Sequence, residues 1–358
     1  MEIPKTEGIK YAGSKLKLLP FMFDMIKKLD GVQTVLDGFS GSTRVSQAFA
    51  QLGYSTTAND ISSWSEVFAT CYLTSNQSNN YYKEIIDHLN NVKSVDGWFT
   101  ENYGGTIKDI KKPFQIKNTQ KLDAIRQEIE VLNLAWEDKC VLLTSLIYAM
   151  DKVDNTLGHY VAYLSDWSAR SFKDLELKLP NRFISTGNNK VIRDDIFNTV
   201  AKNSYDLVYF DPPYGSNNEK MPPSRVRYTA YYHIWTTIIK NDQPAVFGKA
   251  NRREDSRDGI SGSVFEEFRK NATGDFMAME ALKKLIKETN TRYLMLSYSS
   301  GGRATKDQLL DIISDSGKLL EIKMIDYKKN VMSNMRSTNE WINSDEKHNE
   351  YLFLMEKI

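Results

Sequence analysis

Apolar residues in this chain gather into short dense runs, separated by stretches with helical spacing. Gln33 to Asp37 (QTVLD), Tyr205 to Phe210 (YDLVYF), Arg292 to Tyr298 (RYLMLSY) and Glu350 to Lys357 (EYLFLMEK) have the length and content of buried strands. Behind the first, GFSGSTRVSQAFAQLGY passes from a glycine loop into a helix carrying Val45, Ala48, Phe49 and Leu52 as its apolar residues. After Gly53 another short strand, YSTTAND, ends at Asp60. Strand, glycine loop, helix and strand make one βαβ half, and the continued alternation predicts an α/β fold on an open, mostly parallel sheet.

Two blocks interrupt the alternation. Residues 72–180 are rich in Asn, Lys and helical patterns such as NTQKLDAIRQEIEVL and EDKCVLLTSLIYAM, which predicts an inserted, mainly helical domain. The flanking segments, 1–71 and 181–358, then form one α/β domain. Within the second of these, residues 216–290 interleave Lys220, Arg225, Arg227, Lys249, Arg252, Arg253 and Arg257 with Tyr228, Tyr231, Tyr232 and Trp235. Such a run is either a solvated face or a nucleic-acid surface, and the acids Glu254, Asp255 and Asp258 dilute it.

Composition narrows the field. The chain has 358 residues, 41% hydrophobic, enough for a sizeable core. Its 47 Lys+Arg against 46 Asp+Glu give a net charge of +1, which neither suggests nor excludes nucleic acid. Cys71 and Cys140 lie far apart and the four histidines are scattered, so neither a zinc site nor a disulfide framework is expected. The start MEIPKTEGIKYAGSK lacks the apolar core of a signal peptide, and CVLLTSLIYAM is too short to span a bilayer. A cytoplasmic protein without membrane attachment is the expectation.

The candidate chemistry sits at strand ends. Gly38 and Gly41 in DGFSG let backbone approach a ligand closely, although the loop serves equally as a structural turn. Asp60 follows it by about 20 residues, the spacing at which an acid meets a ribose hydroxyl. In VIRDDIF, Asp194 or Asp195 is either an acceptor for an adenine amino group or a helix cap. The stretch LVYFDPPYGS is the most specific. Pro212 and Pro213 fix successive φ angles, so the Asp211 carboxylate and the Pro212 carbonyl form a rigid pair of acceptors, and Tyr214 offers a flat face. That set suits a planar base bearing an exocyclic amine. Hydrogen bonds to both amine protons localise the nitrogen lone pair, which conjugation otherwise delocalises into the ring.

In a succession of blocks the chain resembles the Dam-like DNA adenine-N6 methyltransferases, which use S-adenosyl-L-methionine. KYAGSKLKLLPF (Lys10 to Phe21) is similar to the family's opening signature, VLDGFSGSTRVSQAF to its cofactor loop, ANDIS to its acid after the second strand and DPPYG to its catalytic motif. LMLSYSS, and SNMRS with NEYLFLMEK, resemble its later strand and closing hairpin. The resemblance implies a Rossmann-like methyltransferase sheet with an antiparallel closing strand, and a target-recognition role for residues 72–180. It further implies that Tyr11, Lys15, Asp37, Phe39, Gly41, Ser42, Asp60, Asp195 and Ile196 surround the cofactor, while Asp211, Pro212 and Tyr214 hold a flipped-out adenine. Double-stranded DNA is the expected partner, with Arg252, Arg253 and Arg336 as candidate backbone contacts. A separate cognate restriction endonuclease is a possible second partner, and a monomer suffices. Alternative readings are a methyltransferase for the 4-amino group of cytosine, whose members often carry serine at the position of Asp211, and a catalytically silent DNA-binding subunit. A nicotinamide-dependent dehydrogenase gives DPPY no role.

Overall fold

The computed structural model describes residues 2–109, 112–185, 187–216, 227–326 and 349–358. Strand β1 (Thr34–Asp37) lies at the middle of a seven-stranded sheet. Its parallel neighbours are β2 (Ser55–Asn59) on one side and β4 (Tyr205–Phe210) on the other. Strand β3 (Lys190–Ile192) extends the sheet beyond β2, and β5 (Thr291–Ser299) extends it beyond β4, again in parallel. The far edge is a hairpin of β6 (Gly317–Asp326) and β7 (Asn349–Lys357), with β7 antiparallel to both β5 and β6. The order is β6-β7-β5-β4-β1-β2-β3. The expected mostly parallel sheet with an antiparallel closing strand is therefore present.

Register decides where the acids meet. Asp37 is level with Ala58 of β2 and Tyr209 of β4, so Asp60 and Asp211 each lie two residues past that line on the same edge. Asp206 fixes this register from the other end: its Oδ2 accepts from the backbone N–H groups of Gln33 and Thr34, at 3.0 and 2.8 Å. Because β7 runs antiparallel, with Glu350 opposite Ser299, the start of the last strand is carried to the edge where the parallel strands end.

Both faces of the central strands are covered, which is why their sequences read as continuous apolar runs. Val35, Leu207, Met295 and Leu354 pack with the helices Leu19–Ile26 and Arg44–Gln51. Their neighbours Leu36, Val208, Leu296 and Phe353 pack with Ile196–Lys202, Met277–Glu288 and Lys306–Ser314 on the opposite face. Strand β6, at the sheet margin, is mostly half-buried or exposed, so its apolar signal in the sequence is weaker than that of the inner strands.

A third core belongs to the helices Asn79–Asn91, Trp98–Tyr103, Ile116–Val131 and Trp136–Val153, within the interval read as an insertion. It also takes in Ser63–Ala69 and His233–Lys240. Tyr232 and Trp235, which appear in the sequence as part of a basic and aromatic surface, are 0% and 1% exposed and stack at 4.2 Å between centroids. Helical spacing puts Ile234, Trp235 and Ile238 into this shared core, so the segment after β4 packs against the helices of residues 72–180. Among the described residues no helix is long and apolar enough to cross a membrane. Trp235→Ala is expected to lower stability by roughly 3–5 kcal/mol through the cavity it leaves, measured by urea denaturation.

Candidate active site

At the carboxyl edge of the parallel strands lies a cleft of about 550 Å³. It is lined by residues from the amino-terminal segment, the loop after β1, the ends of β2 and β4 and the start of the helix Ile196–Lys202. This is the crevice that an open α/β sheet offers to a ligand. Tyr11, Lys15, Asp37, Phe39, Gly41, Ser42, Asp60, Asp195, Ile196 and Asp211 all line it.

The loop after β1 is tightly built. A Cβ on Gly38 would come within 2.7 Å of the Phe210 ring and 3.0 Å of Ile196, so backbone alone fits there. Gly41 has φ +49 and faces the Tyr11 ring, a conformation that glycine adopts without strain. Asp60 holds this loop in shape: its Oδ2 accepts from the Gly41 N–H and its Oδ1 from the Ser62 N–H, each at 2.9 Å. Burial raises its pKa, and these N–H donors partly counter the rise. Asp37 is buried beneath the loop, with Oδ2 accepting from Ser46 Oγ at 2.5 Å. Its Oδ1 is buried without a hydrogen-bond donor among the described residues. Burial, reinforced by the charges of Asp211 and Asp60 and opposed by Ser46, lifts its pKa to about 7. Asp195 is the N-cap of the helix Ile196–Lys202, accepting from the Phe197 N–H at 2.9 Å, and Asp194 accepts from the Asp195 N–H and from Asn198. Both acids line the cleft, so capping and ligand contact are compatible there.

Asp211 sits where β4 ends. Its Oδ1 receives two donors: Lys15 Nζ lies 3.1 Å away, and Ser297 Oγ donates at 2.9 Å. Ser297 is within 2.9 Å of the Tyr209 hydroxyl. Lys15 Nζ also contacts Glu350 Oε1 at 2.5 Å, so one ammonium serves two carboxylates. Burial, with a contribution from Glu350, pushes the Asp211 pKa up to about 6 even though Lys15 and Ser297 pull it down. Burial works against the charged form of Lys15, yet the two carboxylates outweigh it and hold its pKa well above the ordinary value. Pro212 is buried, Pro213 lines the cleft, and the Lys15 ammonium stands 5.3 Å from the centre of the Tyr214 ring. The Tyr214 carbonyl accepts from the Arg303 N–H at 2.9 Å, which ties the loop after β4 to the segment after β5.

One wall of the cleft is aromatic. Tyr11 stacks between Tyr228, at 5.5 Å, and Tyr232, at 4.8 Å, and the Tyr232 hydroxyl accepts from the Ala12 N–H at 2.7 Å. The sequence signalled Tyr228 only as part of an aromatic run, and it gave Glu350 and Ser297 no role, because their importance comes from register between distant strands. The basic cluster needs correction. Arg253 is 2% exposed and its guanidinium donates to Asp242 at 2.6 and 2.8 Å and to Asp255 at 2.9 Å, so it is built into the protein. Arg252 is half-buried, engages the Ser256 carbonyl and lies over Phe247. Arg336 lies outside the described residues, as do Lys220 and Arg225.

Sheet order, antiparallel closing hairpin and an acid-lined cleft at the strand ends define a Rossmann-like methyltransferase. The chain belongs to the D12 class N6 adenine-specific DNA methyltransferases, whose family model matches residues 11–300. It is 29% identical over 358 aligned residues to Modification methylase StsI of Streptococcus sanguinis, covering 93% of this chain and 50% of the relative. It is 25% identical to Type II methyltransferase M.FokI of Planomicrobium okeanokoites, covering 98% of this chain and 53% of that protein. Similarity to Type II methyltransferase M.NlaIII of Neisseria lactamica, at 26% identity, covers 98% of this chain and 99% of the relative. The chain thus spans about half the length of the first two relatives and nearly all of the third.

Arg253→Ala is expected to lower stability by roughly 1–3 kcal/mol, since Asp242 and Asp255 lose their donor, while the salt dependence of DNA binding stays as in the wild type. Urea denaturation and anisotropy titrations at several salt concentrations check the two outcomes.

Proposed function

We propose that this chain transfers the methyl group of S-adenosylmethionine to the 6-amino nitrogen of an adenine flipped out of duplex DNA, as the modification half of a restriction-modification system. The observation that carries this reading is Asp211, which lines the cleft with Pro213 and begins the sequence Asp-Pro-Pro-Tyr, in a member of an adenine-specific family. Methyltransferase names among the relatives support the setting, and a cognate endonuclease acting separately completes it.

The cleft fits the cofactor in one respect: the buried Asp37 Oδ1 lacks a donor among the described residues that a cationic ligand supplies, while Gly38 and Gly41 let the loop pack against Phe210, Ile196 and Tyr11 beside it. Asp37 and the Phe39 to Ser42 loop would hold the methionine end, Asp60 the ribose, and Asp195 with Ile196 the adenine. Bound there, S-adenosylmethionine supplies an electrophilic methyl group on a sulfonium.

This chain's residues prepare the acceptor. Flipping the base costs about a few kcal/mol, which stacking on Tyr214 and hydrogen bonds to the amine offset. Asp211 and the Pro212 carbonyl accept the two amine protons, and this turns the nitrogen lone pair out of conjugation. Asp211 acts as an orienting acceptor, and the surplus proton of the product leaves readily to it or to solvent. We assign recognition of the DNA sequence to the helical interval 72–180, and a monomer suffices for the reaction.

The decisive experiment incubates the protein with tritiated S-adenosylmethionine and unmethylated genomic DNA and chromatographs the nucleosides. Label in 6-methyladenosine is expected. Label in 4-methylcytidine overturns the base assignment, and absence of label with intact DNA binding overturns catalysis. Asp211→Ala is expected to reduce kcat by roughly 10²–10⁴-fold while cofactor affinity changes by less than about threefold, checked by single-turnover kinetics and calorimetry. Because burial raises the Asp211 pKa to about 6, its carboxylate form predominates above that pH and its neutral form below it. kcat/KM in the wild type is accordingly expected to fall as pH drops through about 6, where an ordinary aspartate would hold activity to about 4.

A further inference from the structure

We propose that Glu350, near the start of the last strand, is a positioning residue for Asp211: it keeps the Lys15 ammonium on the Oδ1 side and so reserves Oδ2 for the substrate amine. The inference rests on the reading of Asp211 as the amine acceptor. It starts from unequal distances, because Lys15 Nζ is 2.5 Å from Glu350 Oε1 and 3.1 Å from Asp211 Oδ1. Ser297 Oγ donates to the same Oδ1, held in turn by contact with Tyr209. Both contacts hold one oxygen of the carboxylate, and the other carries neither of them.

Lys15 and Glu350 have side chains 6% and 5% exposed, so water cannot replace either partner cheaply. A buried lysine with Asp211 as its sole partner would be drawn fully onto it and would compete with the amine for the same lone pairs. Sharing the ammonium with Glu350 leaves two carboxylates on one cation, and Asp211 remains an electron-rich acceptor. The charged or titratable groups facing Asp211 are Lys15 from the amino-terminal segment, Glu350 from β7, Tyr209 from β4, Asp37 from β1, Tyr214 from its own loop and Tyr228 from the helix Tyr228–Tyr231. Of these, Glu350 touches Lys15 without lining the cleft, so its charge can be removed with the binding surface unaltered.

Glu350→Gln removes the charge and keeps an oxygen that accepts from Lys15. Wild-type and variant proteins are prepared with ¹³C-labelled aspartate carboxyls, without cofactor or DNA. The Asp211 resonance is assigned by its loss in Asp211→Asn and titrated. Its midpoint is expected to fall by about one pH unit in the Gln variant, because Lys15 then answers Asp211 alone. kcat on DNA is expected to fall by about tenfold at pH 8 with unchanged cofactor affinity. A midpoint identical in both proteins overturns the proposal, as does an unchanged kcat. Glu350→Asp retains the charge but shortens the reach to Lys15; it is expected to give an intermediate midpoint, and a wild-type midpoint there counts against the proposal even if the Gln variant fails to fold. Absence of adenine methylation by the wild-type protein refutes the acceptor reading instead, and the titration still answers for Glu350.

Discussion

A carboxylate buried under a binding cleft is costly unless a cation answers it, and a cation that answers it fully also silences it. In the trio of Asp211, Lys15 and Glu350 one ammonium answers two carboxylates, and strand order brings the three side chains together. Its members come from the end of β4, the amino-terminal segment and the start of the last strand, with Lys15 and Glu350 separated by 335 residues along the chain. Neither the segment carrying Lys15 nor β7 can be displaced without unpairing a buried charge.

Sheet topology provides the delivery. Parallel strands put Asp37, Asp60 and Asp211 on one edge, because residues in register advance together toward the carboxyl end. A wholly parallel sheet would leave the last strand's first residues at the opposite edge. Antiparallel insertion of β7 between β5 and β6 reverses that strand and brings Glu350 beside the loop that carries Asp211. Ser297, opposite Leu352 of β7, turns to the same carboxylate from β5. On the other flank, the aromatic wall from Tyr228 through Tyr11 to Tyr232 joins the cleft to the core of the helical region, so the segment after the catalytic motif has both structural and site-facing duties.

Local features were legible in the sequence where a residue type and its spacing impose geometry by themselves. Two prolines after an acid fix a turn, glycines at Gly38 and Gly41 mark a close backbone approach, and dense apolar runs mark strands buried on both faces. The half-buried edge strand β6 was less legible, since solvent on its flank relaxes the apolar pattern. The basic run at Arg252 and Arg253 misled for a related reason: a one-dimensional charge run does not disclose that Asp242 folds back to pair with Arg253 and bury it.

By itself the sequence determined the class of fold, the glycine loop, the acid after β2 and the rigid turn that follows Asp211, because each follows from local propensity and backbone stereochemistry. Only the tertiary structure decided that Lys15 is shared between Asp211 and Glu350, that Ser297 holds one oxygen of the Asp211 carboxylate, and that Trp235 is core while Arg253 is an internal ion pair. These depend on the order and direction of strands, and on which side chains lose water together, and neither property is written at any single position.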